Sequence, residues 1–434
     1  GQTLLAVAAD DDVEIISRTN PLPVAVELDP PAGRADALTY YEALEGMLVQ
    51  LTEPAVVVGP TTQYGETALV KADSGVDRIM QGAPNGGYLI FIDDGAAVTY
   101  YDGASLPFAA RTGDVVSDVT GPLAYTFDTF KIEPLAPPVV VPDERPLPVL
   151  DPAGPGEFSI ATLNAENLFD SQAPHPSDPP LPTSTEYHER LAKLAAAVVS
   201  MGAPTVVGLQ EVEHIGVLED LIDQDALAGY DYQPVLIEGT DSRGIDVGYL
   251  VRGDQVDLAG AAAYPAPEGL TSRPPLLITV TLKTAGNPTI YLLNNHFTSM
   301  SGGEESTEPR RDAQARWNVT LVEEILAREP DAYVAVLGDL NSFYEARPID
   351  SLRQGGLRHV FEFLEGDPLP YTYIYLGESE TLDHILVTPA LYQHLGRVEV
   401  LHIDADYPLA VPGDLSPRHV SDHDPLFAVF SWAP

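Results

Sequence analysis

Between Phe158 and Trp432 the chain alternates two hydrophobic patterns. Short continuous apolar runs have the length of strands buried on both faces. They include Phe158-Ser159-Ile160-Ala161-Thr162-Leu163, Thr205-Val206-Val207-Gly208-Leu209 and Tyr333-Val334-Ala335-Val336-Leu337. Between them the spacing becomes helical. Tyr187 to Met201 puts Leu191, Leu194, Ala195, Val198 and Val199 on one face and stops at Gly202-Ala203-Pro204. A second helix, from Glu308, carries Ala313, Trp317, Leu321 and Ile325 at spacing four. Apolar strands covered by amphipathic helices predict layered α/β architecture.

The chain up to Lys131-Ile132 reads differently, as short strands and turns. Met47-Leu48-Val49-Gln50-Leu51, Ala55-Val56-Val57-Val58 and Tyr88-Leu89-Ile90-Phe91-Ile92 are such strands, and Asp114-Val115-Val116 and Tyr125-Thr126-Phe127 flank the turn Thr120-Gly121-Pro122. This pattern predicts a small barrel or sandwich. It holds no cluster of His and carboxylates, so binding or spacing is expected of it and no chemistry. Proline then crowds the stretch from Glu133 to Glu157, which reads as a stiff spacer. The expected organisation is 1–133, a linker at 134–156 and a second domain at 157–434.

Composition narrows the chemistry. No apolar run approaches the roughly 18 residues that span a membrane. The chain has no cysteine, which excludes disulfides and thiolate metal sites. A bound metal would be held by oxygen and imidazole, favouring Mg²⁺, Mn²⁺ or Ca²⁺. Net charge is -43, from 65 acidic against 22 basic residues, and only Lys71, Lys131, Lys193 and Lys283 are lysines. Such a field repels polyanions at long range and counts against high-affinity nucleic-acid binding, but less against an enzyme needing brief contact. The start, Gly1-Gln2-Thr3, reads as a processed or truncated product, consistent with secretion.

Polar clusters follow the apolar runs of the second part. They are Asn164-Ala165-Glu166-Asn167, Gln210-Glu211, Asn294-Asn295-His296, Gly338-Asp339-Leu340-Asn341, Asp383-His384 and Ser421-Asp422-His423. Strand ends of α/β sheets are common ligand sites. In an extended segment residues two apart point the same way, so Asp339 and Asn341 can face one pocket. Each cluster alone has an ordinary reading: turn formers for Gly-Asp-x-Asn, a cap or turn amide for Asn164, a solvated strand end for Glu211, a buried satisfied ring for His296, a cap for Asp383. Their coincidence supplies carboxylates, amides and imidazoles suited to metal-assisted hydrolysis of a phosphate ester.

In this order the clusters resemble the signature of the endonuclease/exonuclease/phosphatase superfamily, over Phe158 to Trp432. The resemblance implies a four-layer α/β sandwich (DNase I-like), with the site at one edge of two packed sheets, and a metal-dependent phosphodiester hydrolase. It also implies roles. Glu211 would bind Mg²⁺ (or Mn²⁺ or Ca²⁺), with Asn164 and Asp422 close by. Asp383 would orient His423, the acceptor of the water proton, while Asp339 and Asn341 position water and phosphate. His296 would donate to a phosphate oxygen or the leaving oxygen, with Asp246 as candidate orienter. Arg243, Arg310, Arg311, Arg316 and Arg347 are candidate phosphate contacts, and Tyr373 could line the cleft; surface pairing and core packing are the ordinary alternatives.

The first part is similar to the OB-type module of bacterial extracellular nucleases. Tyr41 to Val49, Phe91-Ile92-Asp93-Asp94-Gly95 and Gly113 to Gly121 carry that likeness, and the segment before it reads as an incomplete remnant. The expectation is therefore an OB-like β-barrel ahead of a secreted (or periplasmic or cell-surface) nuclease cleaving DNA, with RNA an open second substrate. No membrane association or protein partner is expected. The alternative keeps the chemistry but acts on a phospholipid or phosphorylated small molecule.

Overall fold

A computed structural model describes residues 16–284, 286–366 and 369–432, so Gly1-Gln2-Thr3 lies outside the described residues. The chain divides into two compact units, one up to Glu144 that also takes in Leu376–Glu378, the other from Arg145.

The first unit is built on β1 (Leu48–Leu51), β2 (Ala55–Gly59), β3 (Thr67–Lys71), β4 (Ile90–Ile92), β5 (Val119–Thr126) and β6 (Thr129–Ile132). β2, β3 and β4 form an antiparallel meander, β4 runs parallel to β6, β6 pairs with β5, and β5 returns to β1. β1 and β2 follow one another across Thr52-Glu53-Pro54, and the sheet's two outer strands are Val26–Glu27 and Val139–Val141. Val49, Val57, Leu69, Ile90, Leu123 and Ile132 fill it. The expected turn Thr120-Gly121-Pro122 lies instead inside β5, paired with β1, and Gly121 is required there by close approach: a Cβ would stand 2.0 Å from the Glu133 carbonyl oxygen. The unit also carries a helix, α1 (Arg34–Glu42), whose Ala37 and Tyr41 join the core.

The proline-rich segment read as a spacer is ordered at both ends. Val139–Val141 pair with Val115–Ser117, and Leu150 packs into the core of the second unit. Apolar residues between the prolines supply the anchoring that composition alone did not indicate.

The second unit stacks two six-stranded sheets. The first sheet uses β7 (Glu157–Leu168), β8 (Val206–Val212), β9 (Tyr232–Leu236) and β10 (Asp246–Arg252). The second uses β11 (Val256–Ala263), β12 (Leu276–Leu282), β13 (Thr289–His296), β14 (Tyr333–Asp339) and β15 (Asp383–Val387), with Arg358–His359 at its edge. β16 (Leu395–Val400) and β17 (Leu426–Ser431) complete the first, in the order β9-β10-β8-β7-β17-β16. Helices α2 (Ser184–Ser200) and α3 (Ile215–Ile222) cover it, and α4 (Glu304–Leu326) and α5 (Arg347–Gln354) cover the second. This is the expected four-layer α/β sandwich.

Local chemistry sets the helix boundaries. α2 starts before Tyr187 because Thr183 and Glu186 form a capping box, and it stops at Gly202, with φ 80°. The buried residues of α4 are Arg311, Asp312, Gln314, Ala315, Asn318, Leu321, Val322 and Ile325, whereas Ala313 and Trp317 are only partly covered. Apolar spacing displaces that face, because four of its buried positions are polar and hydrogen-bonded.

Period two sorts every central strand. Phe158 and Ile160 of β7 point between the sheets, and Ala161, Leu163 and Ala165 point to the helices. Leu292 of β13, Leu337 of β14 and Ile385 of β15 also point between the sheets. Two residues beyond them on that face come Asn294 and then His296, Asp339, and Asp383. The polar residues therefore continue the inter-sheet face, inside the strands and not after them as the sequence suggested.

Candidate active site

Register brings the second sheet's contribution together. His296 lies opposite Asp339, and Asp339 opposite Asp383, across β13, β14 and β15. The first sheet needs bulges. β7 shifts register between Asn164 and Leu168, and β8 between Leu209 and Val212. Val212 resumes the helix-side face of Leu209, so the extra residue is Glu211, with φ 60°. Glu166 and Asn167 have φ 48° and Asn341 has φ 45°. Left-handed backbone of this kind is unfavourable for side-chain-bearing residues and concentrates at functional sites.

The residues interlock. His423 Nδ1 lies 2.7 Å from Asp383 Oδ2, and Asp383 N donates to Thr372 Oγ1 at 3.1 Å. Asn164 Nδ2 donates to Asp339 Oδ2 at 3.1 Å; Asn341 Nδ2 donates to the same oxygen at 3.0 Å and its backbone N–H to Asp339 Oδ1 at 2.8 Å. His296 Nε2 stands 3.5 Å from Asp339 Oδ2 and 3.8 Å from Glu211 Oε1, joining the two sheets. Glu211 Oε2 accepts from Asn167 N at 2.8 Å and from Arg243 Nη2 at 3.1 Å. Asp422 lies at the rim, 4.0 Å from His423 Nε2.

Electrostatics separates these groups. Burial alone would lower the His423 imidazole, but Asp383, Asp422 and Asp339 hold it well above its usual value. Burial drives His296 well below its usual value, reinforced by Arg273, Arg243 and His423. Burial and the Asp383 charge push Asp339 up to about 7, against the opposing pull of His423. Glu166 rises to about 8 through desolvation and the charges of Asp422 and Glu211, although 43% of its side-chain surface is exposed.

Burial is the larger cause for both carboxyl groups, and the neighbouring carboxylates add to it. Arg190, Arg243 and His423 do not neutralise Glu166, Glu211, Asp422, Asp339 and Asp383. The donor set around Glu211, with its Oε1 turned away from Arg243, and around Asn164, Glu166 and Asp422 fits a hard divalent cation. Asp339, Asp383 and His423 also have ligand atoms within 4.8 Å of one another, but Asp383 Oδ2 already holds His423, which reads better as an oriented imidazole than as a metal ligand set.

Other expected contacts divide. Arg243 is close to Glu211 with 45% of its side chain exposed, and the Tyr373 ring lies 4.7 Å from that of His423. Arg311 is 1% exposed and turned onto its own helix, at Thr307 and the Glu304 carbonyl, because α4 buries it; it is no phosphate contact. Arg310 donates to the Gly269 carbonyl, and Arg316 and Arg347 pair with Asp312, which none of the catalytic cluster's contacts involve. Asp246 accepts from Gly239 N at 2.7 Å, and burial pushes it up to about 6. Among the described residues His296 Nδ1 has no hydrogen-bond partner, so Asp246 is not its orienter in this geometry.

Four contributors carry no role in the sequence reading: Glu166, Asn167 and Ser421 stand in the polar clusters, and Arg273 is not singled out. Glu166 and Asn167 reach the site only through the β7 bulge. Arg273 donates to the His296 and Phe297 carbonyls at 3.4 and 3.2 Å and pairs with Asp241. Ser421 Oγ donates to the Asn164 carbonyl at 2.6 Å and accepts from His423 N at 3.1 Å. Gln210 and Asn294 lie one layer below. Gln210 Nε2 donates to Asn294 Oδ1 at 2.7 Å, and Asn294 Nδ2 donates to the Leu209 and Gly248 carbonyls.

Residues 159–361 match the sequence model of the Endonuclease/Exonuclease/phosphatase family, and residues 17–143 match that of a domain of unknown function. No curated protein matches the chain. Among solved structures, D. rerio TDP2 humanized by 14 mutations is similar at 17% identity, covering 64% of this chain and 99% of that one, with a TM-score of 0.46. D. rerio TDP2 complexed with single strand DNA product is similar at 19% identity over 63% of this chain and 99% of that one, TM-score 0.45. The Bacteroides vulgatus endonuclease/exonuclease/phosphatase is similar at 17% identity over 63% and 98%, TM-score 0.44.

Proposed function

Because the chain belongs, through its second unit, to the endonuclease/exonuclease/phosphatase superfamily, we propose that it is a metal-dependent hydrolase of phosphodiester bonds in DNA. The observation that carries this reading is the convergence of Glu211 and His423, from the first sheet and the loop leading into its strand β17, with His296, Asp339 and Asp383 from the second.

Asp383 holds His423 Nδ1, leaving Nε2 as the atom that takes a proton from water. Asp339 and Asn341 share hydrogen bonds that fix both side chains at that water and the phosphate. His296, kept uncharged by burial, serves as a neutral donor toward a phosphate oxygen. Arg243 offers an exposed planar cation beside Glu211 for a non-bridging oxygen. Glu211, Asn164 and Asp422, with Glu166, would hold Mg²⁺, Mn²⁺ or Ca²⁺, whose charge offsets both the phosphate and the carboxylates that keep His423 protonated.

The barrel supports a nucleic-acid substrate. We read its pairing, a three-strand meander joined in parallel to the last strand of a closing hairpin, as OB-type. RNA is a second substrate under this reading. Secretion is part of the proposal as well, supported by the acid-rich, lysine-poor composition and tested by fractionating cells and medium. A second reading, hydrolysis of a phospholipid or phosphorylated small molecule, is favoured by the net charge of -43, since a small substrate needs no basic track. Incubation of the full chain with plasmid, single strands, RNA and a phosphodiester dye ester, each with Mg²⁺, Mn²⁺ or Ca²⁺, separates the two. Cleavage of the dye ester alone selects the second reading, and no cleavage of any substrate removes both.

A further inference from the structure

Arg190 has no place in the chemistry proposed above, yet it touches two of the segments that build the site. It stands on the buried face of α2, three residues after Tyr187 and four before Leu194, with 29% of its side chain exposed. Its Nη2 donates to the Ala165 carbonyl at 2.9 Å and to the Glu166 carbonyl, and its Nη1 donates to the Asn167 carbonyl at 3.4 Å. Nη2 also meets the Val420 carbonyl at 3.4 Å. The Glu166 carboxylate stands farther off, at 3.8 Å. One guanidinium therefore joins the end of β7 to the segment leading into Ser421-Asp422-His423, and it does so through backbone.

The backbone it holds on β7 is unfavourable by itself. Glu166 and Asn167 both have φ 48°, a left-handed conformation that persists only where its surroundings enforce it. Side chains of the site hold the N–H groups of this turn. Glu166 N donates to Asn164 Oδ1 at 2.9 Å, and Asn167 N donates to Glu211 Oε2 at 2.8 Å. Arg190 holds the carbonyl groups. A planar cation with five N–H groups in a fixed fork can meet several carbonyls at once, which a lysine ammonium cannot match. The other segment is held from two sides as well. Asp404 Oδ1 accepts from Val420 N at 2.7 Å and from Ser421 N at 3.3 Å, while Arg190 takes the Val420 carbonyl. Lys193, three residues on in α2, donates to the Arg418 carbonyl at 2.6 Å.

We propose that Arg190 is a positioning residue that couples the Glu166–Asn167 turn to the segment carrying Asp422 and His423, and so sets the spacing of the oxygens that would hold the cation. The inference rests on the metal-dependent reading above. Asn164 and Glu166, Glu211, and Asp422 come from three separate stretches of chain, and a hard cation needs their oxygens at defined distances. Hydrogen bonds behind a ligand set orient it and tune its affinity. Arg190 supplies them to two of the three stretches at once, and its own charge stays off the ligand carboxylates.

Mn²⁺ titration of the chelator-stripped full chain, followed by electron paramagnetic resonance, tests this without turnover. Arg190→Ala should weaken Mn²⁺ binding about tenfold or more and Arg190→Lys about threefold, whereas Lys193→Ala, which frees only the Arg418 carbonyl, should change it less than about twofold. Millimolar guanidinium ion, but not ammonium at the same concentration, should restore affinity to Arg190→Ala. In the metal-free Arg190→Ala chain, amide exchange should quicken at 165–168 and at 420–423 together. Should Arg190→Ala fail to fold by circular dichroism, Arg190→Lys decides by the same readouts. Unchanged Mn²⁺ affinity in the folded variants, an equal loss in Lys193→Ala, or faster exchange in one segment alone overturns the proposal. A parent chain that binds no Mn²⁺ overturns the metal-dependent reading itself, so the two failures are told apart.

Discussion

His423 and His296 stand at the same edge of the stacked sheets, 6% and 4% exposed, yet their surroundings differ. His423 has a carboxylate at hydrogen-bond distance on Nδ1, plus Asp422 and Asp339 nearby, and is held in its charged form. His296 touches Asp339 and Glu211 only at 3.5 and 3.8 Å, has Arg273 and Arg243 as neighbours, and is driven neutral. Burial opposes charge in both rings, so the difference comes from the partners. One direct carboxylate hydrogen bond outweighs desolvation; two carboxylates beyond hydrogen-bond length do not. A divalent cation at Glu211 would offset the carboxylates that hold the His423 proton, and the pair would then divide proton acceptance by His423 from neutral donation by His296.

The largest break in this division is His423→Ala, expected to lower the rate about 10³-fold or more with folding intact, read by single-turnover cleavage and circular dichroism. A smaller break is Asp383→Asn. It should lower the rate about 100-fold and bring the imidazole pKa down, which NMR titration of the ring protons in metal-free protein measures directly. If that pKa does not move, Asp383 is not what sets His423 apart. Glu211→Gln should raise the Mg²⁺ concentration for half-maximal rate about 10- to 100-fold while leaving the Asp383–His423 pair in place, and EDTA should abolish turnover of the parent.

The smallest expected effect is on stability. Asp246 has its pKa raised from 3.8 to about 6 by burial, so the folded chain binds this proton more tightly than the unfolded chain. The stabilisation this lends is complete below about pH 4 and is lost as pH rises through 6. Asp246→Asn should therefore stabilise the chain by about 3 kcal/mol at pH 7.5 and by nothing at pH 3.5, as urea unfolding at the two pH values would register. An equal effect at both would mean that charge is not what burial penalises there.

Residue type announced some of this site and hid the rest. Asp383 and His423 were legible because an acid and an imidazole each open an apolar strand. Asp339 and Asn341 were legible as a pair, but Asn341 lies past the end of β14 with φ 45°, so a turn and not the expected strand period brings it to Asp339. Glu166 was not, since the β7 register shift and a left-handed backbone decide where it points, and neither has a clear signal in Asn-Ala-Glu-Asn. Arg311 misled in the opposite direction, because an arginine at a helix's inward position looks in sequence like one at the surface. The four adjacent residues Ser421, Asp422, His423 and Asp424 also separate. Ser421 and Asp424 are struts, the latter collecting the backbone N–H groups of Ile403, Asp404 and Ala405. The fold class was more legible than the site, since period two and amphipathic spacing are long-range averages.

The Gln210–Asn294 bridge beneath the site carries a consequence for how activity appears during folding. Apolar faces can slide over one another with little change in buried area, whereas amide hydrogen bonds of 2.7 to 3.0 Å specify one alignment. Until that dowel seats, Glu211 and His296 belong to separate plates and no hydrolytic centre exists. Recovery of turnover during refolding is therefore a clock for the docking of two sheets, and secondary structure should return ahead of it.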